Sequence, residues 1–306
     1  MTSYMAQSNF RLWGARHDRA LHTCRAAFLC RLLMGFILIT SPAWGQSSSQ
    51  ACSDGILIFS RDFESGDLSG FTDNPKRLKK TLKKIRVVTK PVRHGRYAAE
   101  FTLYRKDQDD VNYRTDLVTS NASGDYLRLH IGRKYWYGFS TLFPRNWVPD
   151  TQSELFAQWH ASPDEGEDKR SPNLAIYVYG ENYCIKKRWD ANKISDKESI
   201  PSKILWCGKI EPDKGIWIDW VFRVKWSFHE DGFVEVWKDG NRILSDKGPN
   251  SYNDKQGPYF RFGPYKWPWK KDEEEAPSTV SKRIVYFDEI RIGDENACYE
   301  LVRPPQ

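Results

Sequence analysis

Three short stretches, far apart in the chain, place polar and chemically able side chains at every second residue. They are Tyr113-Arg114-Thr115-Asp116-Leu117, Gln158-Trp159-His160 and Tyr259-Phe260-Arg261-Phe262-Gly263-Pro264-Tyr265. Each stands in aromatic or apolar company that reads as β-strand. A strand turns alternate side chains to one face. Arg114 then goes with Asp116, Gln158 with His160, and Tyr259 with Arg261 and Tyr265. If the three strands share a sheet, one face carries a base, an acid and several donors for a carboxylate. Those groups suit the removal of a proton beside a uronic acid carboxylate. The C5 proton there is weakly acidic. Neutralising the carboxylate lets charge flow into it as a base takes that proton and an acid protonates the oxygen leaving C4. Arg114 and Gln158 suit the carboxylate. His160 and Tyr265 suit the proton transfers, since His titrates near neutrality and a Tyr can donate its proton directly. Singly, each residue has a plainer reading as a structural His, a packed Tyr or a surface ion pair. The weight lies in three segments having the right partners at period two.

The elements that must position them are strands. The chain is rich in aromatic and β-branched residues and poor in helical periodicity. Runs such as Tyr97–Tyr104, Tyr113–Leu117, Tyr135–Leu142, Leu155–His160, Leu174–Tyr179, Trp217–Lys225, Tyr259–Gly263 and Arg283–Gly293 are bounded by Gly, Asn, Asp and Pro. Glu230-Asp231-Gly232 and Lys238-Asp239-Gly240-Asn241 mark hairpins. Many strands without βαβ units predict an all-β antiparallel sandwich of the jelly-roll, concanavalin-like kind, with a concave substrate-binding sheet. Two charged loops, 164–169 and 270–276, follow closely on the reactive strands, where substrate walls are commonly placed.

The motifs resemble those of jelly-roll polysaccharide lyases, above all the heparin lyase I-like group and more distantly alginate and glucuronan lyases. Those families carry an Arg-x-Glu-type strand, a Gln-x-His strand and a Tyr-Phe-Lys-x-Gly-x-Tyr strand. Here they stand as Arg114-Thr115-Asp116, Gln158-Trp159-His160 and Tyr259 to Tyr265. Tyr135-Trp136-Tyr137-Gly138-Phe139-Ser140 and Tyr265-Lys266-Trp267-Pro268-Trp269 are similar to the heparin lyase I-like group as well. The resemblance runs from about Phe59 to Gly293. It implies His160 as base and Tyr265 as acid, or Tyr265 in both roles. It implies Gln158, Arg114 and Arg261 on the carboxylate, with Tyr259, Asp116, Lys266 and Trp267 around the substrate. Three departures bear on substrate geometry: Asp116 for Glu, Arg261 for Lys, and Pro264 for a β-branched residue. Arg keeps the charge of Lys but presents a fork in place of a point donor.

Residues 1–45 read as a secretory signal peptide. Five arginines precede a short apolar run, roughly Leu32 to Thr40, and Ala43-Trp44-Gly45 offers a cleavage site before Gln46. That run is far below the roughly 20 residues a membrane span needs. Removing those 45 of 306 residues leaves a domain of 261, residues 46–306, and lowers the formal charge from +7 to +3 through the loss of five Arg and one Asp. The remaining cations cluster between Lys76 and Arg86, read either as a solvated strand edge guarded by Lys or as a polyanion patch. The partner expected is an anionic polysaccharide, with no nucleic acid and no membrane span, taken by a monomer.

Cys24 and Cys30 leave with the signal, and the four remaining cysteines allow three pairings. Cys52 and Cys298 lie near the two ends, and Cys184 and Cys207 flank a hairpin-like insertion. Those two pairs are expected as disulfides in a secreted or periplasmic protein. No cofactor is needed for the chemistry. Glu64 near the start of the domain and Asp288 near its end are candidate ligands for a structural calcium, because the first and last strands of jelly rolls often lie side by side. Two rival functions use the same fold: a non-catalytic carbohydrate-binding module, for which the 13 Trp supply stacking surface, and a sandwich-type glycoside hydrolase. The hydrolase needs two carboxylates flanking the scissile bond, and no strand presents such a pair.

Overall fold

The computed structural model describes residue 52 and residues 54–106, 113–270 and 277–306. The expected signal peptide, and residues 271–276 of the second charged loop, lie outside them. In chain order the described residues form β1 (Leu57–Arg61), β2 (Phe71–Thr72), α1 (Pro75–Leu82), β3 (Ile85–Val88), β4 (Ala98–Tyr104), β5 (Leu117–Thr119), β6 (Lys134–Leu142), β7 (Glu154–Ser162) and β8 (Leu174–Tyr179). There follow β9 (Asn182–Arg188), β10 (Ser202–Lys209), β11 (Ile218–Lys225), β12 (Phe233–Lys238), β13 (Asn241–Lys247), β14 (Gln256–Tyr265), β15 (Lys282–Gly293) and α2 (Tyr299–Val302).

Two antiparallel sheets make a sandwich, as the alternating pattern predicts. One runs β13-β12-β11-β6-β15-β4-β3, with β1 also paired to β15. The other runs β10-β9-β8-β7-β14-β5-β2. Their inner faces share one aromatic core. Phe260 and Phe262 of β14 meet Phe101, Phe139 and Phe287 of the other sheet at ring separations of 5.1–5.5 Å. Trp159, Trp220 and Trp226 are fully buried, so much of the Trp content is core and not sugar-stacking surface. The three reactive segments do share a sheet: β7 and β14 are neighbours at its centre, and β5 flanks β14.

Two local readings change. Tyr113–Leu117 is not a continuous strand. Tyr113 has φ +47°, only Leu117 onward forms β5, and Arg114 makes an isolated bridge to Tyr265. The basic run begins on a helix, not a strand edge. Pro75 opens α1 at a position where its missing N–H costs nothing, and Leu78 packs on the core.

Both expected disulfides form. Cys184 and Cys207 sit directly opposite each other on β9 and β10 with Cα atoms 4.1 Å apart, and Cys52 pairs with Cys298 across 5.6 Å. Their chain separations are 23 and 246 residues. In the chain-entropy picture the long closure stabilises by about 5 kcal/mol and the short one by about 3 kcal/mol. Urea unfolding of the Cys52→Ser/Cys298→Ser and Cys184→Ser/Cys207→Ser variants should show the larger loss for the first. Equal losses would mean that native strain or residual structure, and not loop closure, sets the gain.

Candidate active site

The outer face of the second sheet carries a cleft of about 1100 Å³. Strand register decides what faces it. On β14, Phe260 and Phe262 go to the core while Tyr259, Arg261 and Tyr265 line the cleft. On β7, Phe156, Ala157 and Trp159 go to the core while Leu155, Gln158 and His160 line the cleft. A register shift between Leu155 and Ala157 resets the alternation. Across the two strands, Tyr259 lies opposite His160, Arg261 opposite Gln158, and Tyr265 opposite Leu155. Gln158 and Arg261 therefore stand between His160 and Tyr265 along the strand pair.

Gly263 is the residue that lets Arg114 in. Its φ is +119°, and a Cβ there would lie 2.3 Å from the Thr115 carbonyl oxygen. The 113–116 segment closes onto β14 at this point. The Thr115 amide donates to the Pro264 carbonyl at 3.0 Å, and the Lys266 amide donates to the Tyr113 carbonyl at 3.0 Å. Pro264 removes one donor, yet its own oxygen holds the segment. The Arg114 guanidinium lies 4.0 Å from the centroid of the Tyr265 ring, a cation–π contact that fixes both side chains.

Beneath the floor is a buried array of charge. Asp116 is fully buried and takes Arg261 at 2.9 Å, Arg114 at 3.0 Å and Arg77 at 3.4 Å. Asp73 takes Arg77 at 2.6 Å, the Thr81 hydroxyl at 3.1 Å and Arg261 at 3.3 Å. Burial opposes the charge of Asp116, but Arg114, Arg261 and Arg77 outweigh it and hold its carboxyl below the usual range. Burial also works against Arg261, and Asp116, Tyr259 and Asp73 more than restore its charge. Three guanidiniums share two carboxylates, so one positive charge is left over. Several donors remain unspent: Arg114 Nη2, Gln158 Nε2 and Arg261 Nε have no hydrogen-bond partner. Buried donors are rarely left open without reason.

His160 is held in its neutral form. Its Nδ1 lies 2.9 Å from the Ala161 carbonyl oxygen. A carbonyl only accepts, so Nδ1 carries the proton and Nε2 keeps its lone pair. Burial, with Arg261 and Arg114 adding to it, pushes the imidazole down to about 4 against the pull of that carbonyl. The ring stacks on Tyr259 at 5.4 Å.

Of the residues expected at the site, His160, Tyr265, Gln158, Arg114, Arg261, Tyr259 and Trp267 line the cleft. Asp116 lies below them as the counter-charge. Lys266 is the correction. It is fully buried, 2.7 Å from Asp150 and 3.9 Å from Glu154, and donates to the Gln152 carbonyl at 2.6 Å. It follows Tyr265, which faces the cleft, and the alternation sends its side chain inward. Glu64 and Asp288 are elsewhere. Glu64 accepts the Arg96 and Tyr97 amides, both at 2.8 Å, and Asp288 accepts the Arg93 and Glu289 amides at 3.0 and 2.8 Å. They brace the 93–97 loop, and among the described residues no group of three or more His, Cys, Asp or Glu side chains is placed to hold a metal. Sequence reasoning missed Arg77 with Asp73, the Tyr126–Arg128 pair beside Tyr259, and Tyr177 with Arg188. Tyr126 and Arg128 stand two residues apart in a polar-apolar alternation, the same signal as the other three segments. Arg77 gave none, because its role depends on α1 reaching the floor.

A family model described as polysaccharide lyase matches residues 63–291. The chain belongs to the polysaccharide lyase family. A solved structure of an endo-β-1,4-glucuronan lyase from the fungus Trichoderma reesei is similar over 82% of this chain and 100% of that one, at 20% identity and a TM-score of 0.66. An alginate lyase from Pseudomonas aeruginosa aligns over 64% of this chain and 82% of its own, and one from Zobellia galactanivorans over 64% and 78%. Both are 15% identical, with TM-scores of 0.42. No curated protein sequence matches the chain. The likeness to the fungal structure is one of fold: a sandwich of two antiparallel sheets.

In this lyase the buried Lys266 should behave as a structural residue. Lys266→Ala leaves the buried Asp150 without its ion-pair partner, while Glu154 keeps Arg283, a change that costs about 3–5 kcal/mol when a buried pair loses one partner. Thermal unfolding should show that loss. A variant with normal stability and a raised KM would instead put Lys266 in contact with substrate.

Proposed function

We propose that this lyase cleaves a uronic acid-containing anionic polysaccharide by β-elimination, with His160 taking the C5 proton and Tyr265 protonating the departing oxygen. The observation that carries the reading is the charge of the cleft. Its described lining holds nine Lys or Arg side chains and no Asp or Glu. A polyanion is drawn to such a surface. A hydrolase needs two carboxylates at the bond it cuts, and the described lining supplies none. A binding module has no use for an imidazole kept neutral beside Arg261 and Arg114.

The unspent donors of Arg114, Gln158 and Arg261 suit a substrate carboxylate. Their hydrogen bonds strengthen as charge moves onto it during loss of the C5 proton, so they act on the transition state as well as on binding. His160 offers an unprotonated Nε2 at any pH above about 4. Tyr265 offers a phenol beside the Arg114 guanidinium. The chemistry needs no metal or cofactor. Heparin-like, glucuronan and alginate chains all present the same C5 and C4 atoms, and the density of cations favours a densely charged polymer. The two disulfides support secretion or export to a periplasm, with residues 1–45 as the signal.

The first test is a panel of polyuronates with purified protein, followed in the ultraviolet. Elimination leaves an unsaturated, absorbing end; hydrolysis does not. His160→Ala and Tyr265→Phe should each lower turnover by about 10²–10⁴-fold, the usual scale for an acid–base group. Loss of activity in Tyr265→Phe with activity kept in His160→Ala would give both proton transfers to Tyr265. No absorbing product from any polymer would sink the reading.

A pH profile tests the base separately. The active form is the neutral one, and its pKa is depressed to about 4. Activity is therefore present above that value and lost as pH falls through it. The acid limb of kcat/KM should fall near pH 4, well below the unperturbed value of about 6.5. A limb at pH 6 to 7 would mean that a different group is the base.

A further inference from the structure

We propose that Lys186 and Arg188 form a second anion subsite on the cleft sheet, which takes a carboxylate or sulfate of the substrate chain roughly two sugar rings from the one held by Gln158. The inference rests on the elimination reading for the identity of the substrate. The strand register supplies the geometry. Arg261 lies opposite Gln158, Gln158 opposite Ala175, and Ala175 opposite Lys186. These four residues make one row across β14, β7, β8 and β9, on the face away from the core. Lys186 is two strands from Gln158, a separation of about 10 Å at the usual strand spacing. The row between them is low, because Ala175 carries only a methyl group. Its neighbours are aromatic: Tyr177 packs beside Ala175 with Tyr265 and Trp267 in one cluster. Arg188 stands two residues on from Lys186, so it shares that face and lines the cleft.

The charge balance at this place is unusual. Among the described residues neither Lys186 nor Arg188 has a carboxylate partner. Among the described residues the Arg188 guanidinium donates only to the Tyr177 hydroxyl, at 2.6 Å. Lys186 is partly buried, and burial together with the Arg188 charge pulls its ammonium below the usual range. The other face of this strand treats its cation differently. Lys187, on the opposite face of the same strand, pairs with Asp246 at 2.6 Å. Two like charges held together and partly desolvated oppose folding unless an anion arrives. A substrate oxyanion would supply it, and a polymer with anionic groups spaced to reach both Gln158 and Lys186 would be held in register.

The test measures equilibrium binding in a Tyr265→Phe background, where turnover is slow. The probes are an unsulfated polyglucuronate and a sulfated uronate polymer, which separate carboxylate from sulfate as the group bound. Lys186→Gln/Arg188→Gln should weaken binding of the favoured polymer by tenfold or more, the scale of losing one charge-assisted contact. It should also flatten the dependence of log Kd on log salt. Arg188→Gln alone keeps a donor for Tyr177 and serves if the double variant folds poorly. Unchanged affinity and an unchanged salt slope would overturn the subsite. If wild type gives no unsaturated product yet the double variant still loses binding, the elimination reading falls and the subsite stands.

Discussion

Asp116 is the charge on which the site is built. It is buried completely, and three arginines from three separate parts of the chain converge on it. Taking one carboxylate and several guanidiniums out of water is expensive, and a buried ion pair is weak evidence for stability on its own. Here its consequence is positional. Arg114 comes from a kinked segment beside β5, Arg261 from the middle of β14, and Arg77 from α1. Without a common anion they would repel one another and turn toward solvent. With it, Arg114 is laid against the Tyr265 ring and Arg261 is set opposite Gln158. Asp73 completes the array but leaves it one positive charge in excess, and that excess is what a substrate carboxylate can answer.

The fold and much of the cleft were legible because both depend on period two. Phe260 and Phe262 alternate with Tyr259 and Arg261, and that alone decides which face is core and which is cleft. The same rule fails wherever the strand is irregular. The bulge near Leu155 brings Leu155 and Gln158, three residues apart, to one face. Motif likeness makes Lys266 a substrate contact, whereas simple alternation after Tyr265 sends it inward to Asp150. Arg77 could not be read at all. Its run of lysines and arginines reads equally as a guarded edge or as an open patch. Only the docking of α1 against Asp73 turns one of those cations toward the floor.

The cleft shows how one sheet serves stability and chemistry on opposite faces. Below it, acids are matched by cations within the protein: Asp150 with Lys266, Glu154 with Arg283, Asp116 with its arginines. Lys266 and the hydrogen bonds from Ser278 and Thr279 hold the Asp150 carboxyl at about 2 against the effect of burial. Above it, the described lining carries nine Lys or Arg side chains and no Asp or Glu. The acids that pair with lining residues Arg170 and Lys197, namely Glu167, Asp254 and Asp168, are not themselves part of the lining. This separation of sign discriminates among ligands before any hydrogen bond forms. An acidic polymer is drawn in, and a neutral glycan gains nothing from the same surface.

On the elimination reading proposed above, that separation also explains why a histidine of low pKa would serve as the base. A carboxylate at position 160 would sit in the field of Arg261 and Arg114, be pinned in its charged form and lose proton affinity. It would also repel the uronate it had to reach. A neutral imidazole has neither fault. The arginines that would hold a substrate carboxylate on that reading also disfavour protonation of His160, so the condition for binding and the condition for a free Nε2 would be met by one set of charges. Weakening the arginine array would then cost twice. The carboxylate would be held less well, and the imidazole would drift upward toward protonation, so binding and basicity would fail together.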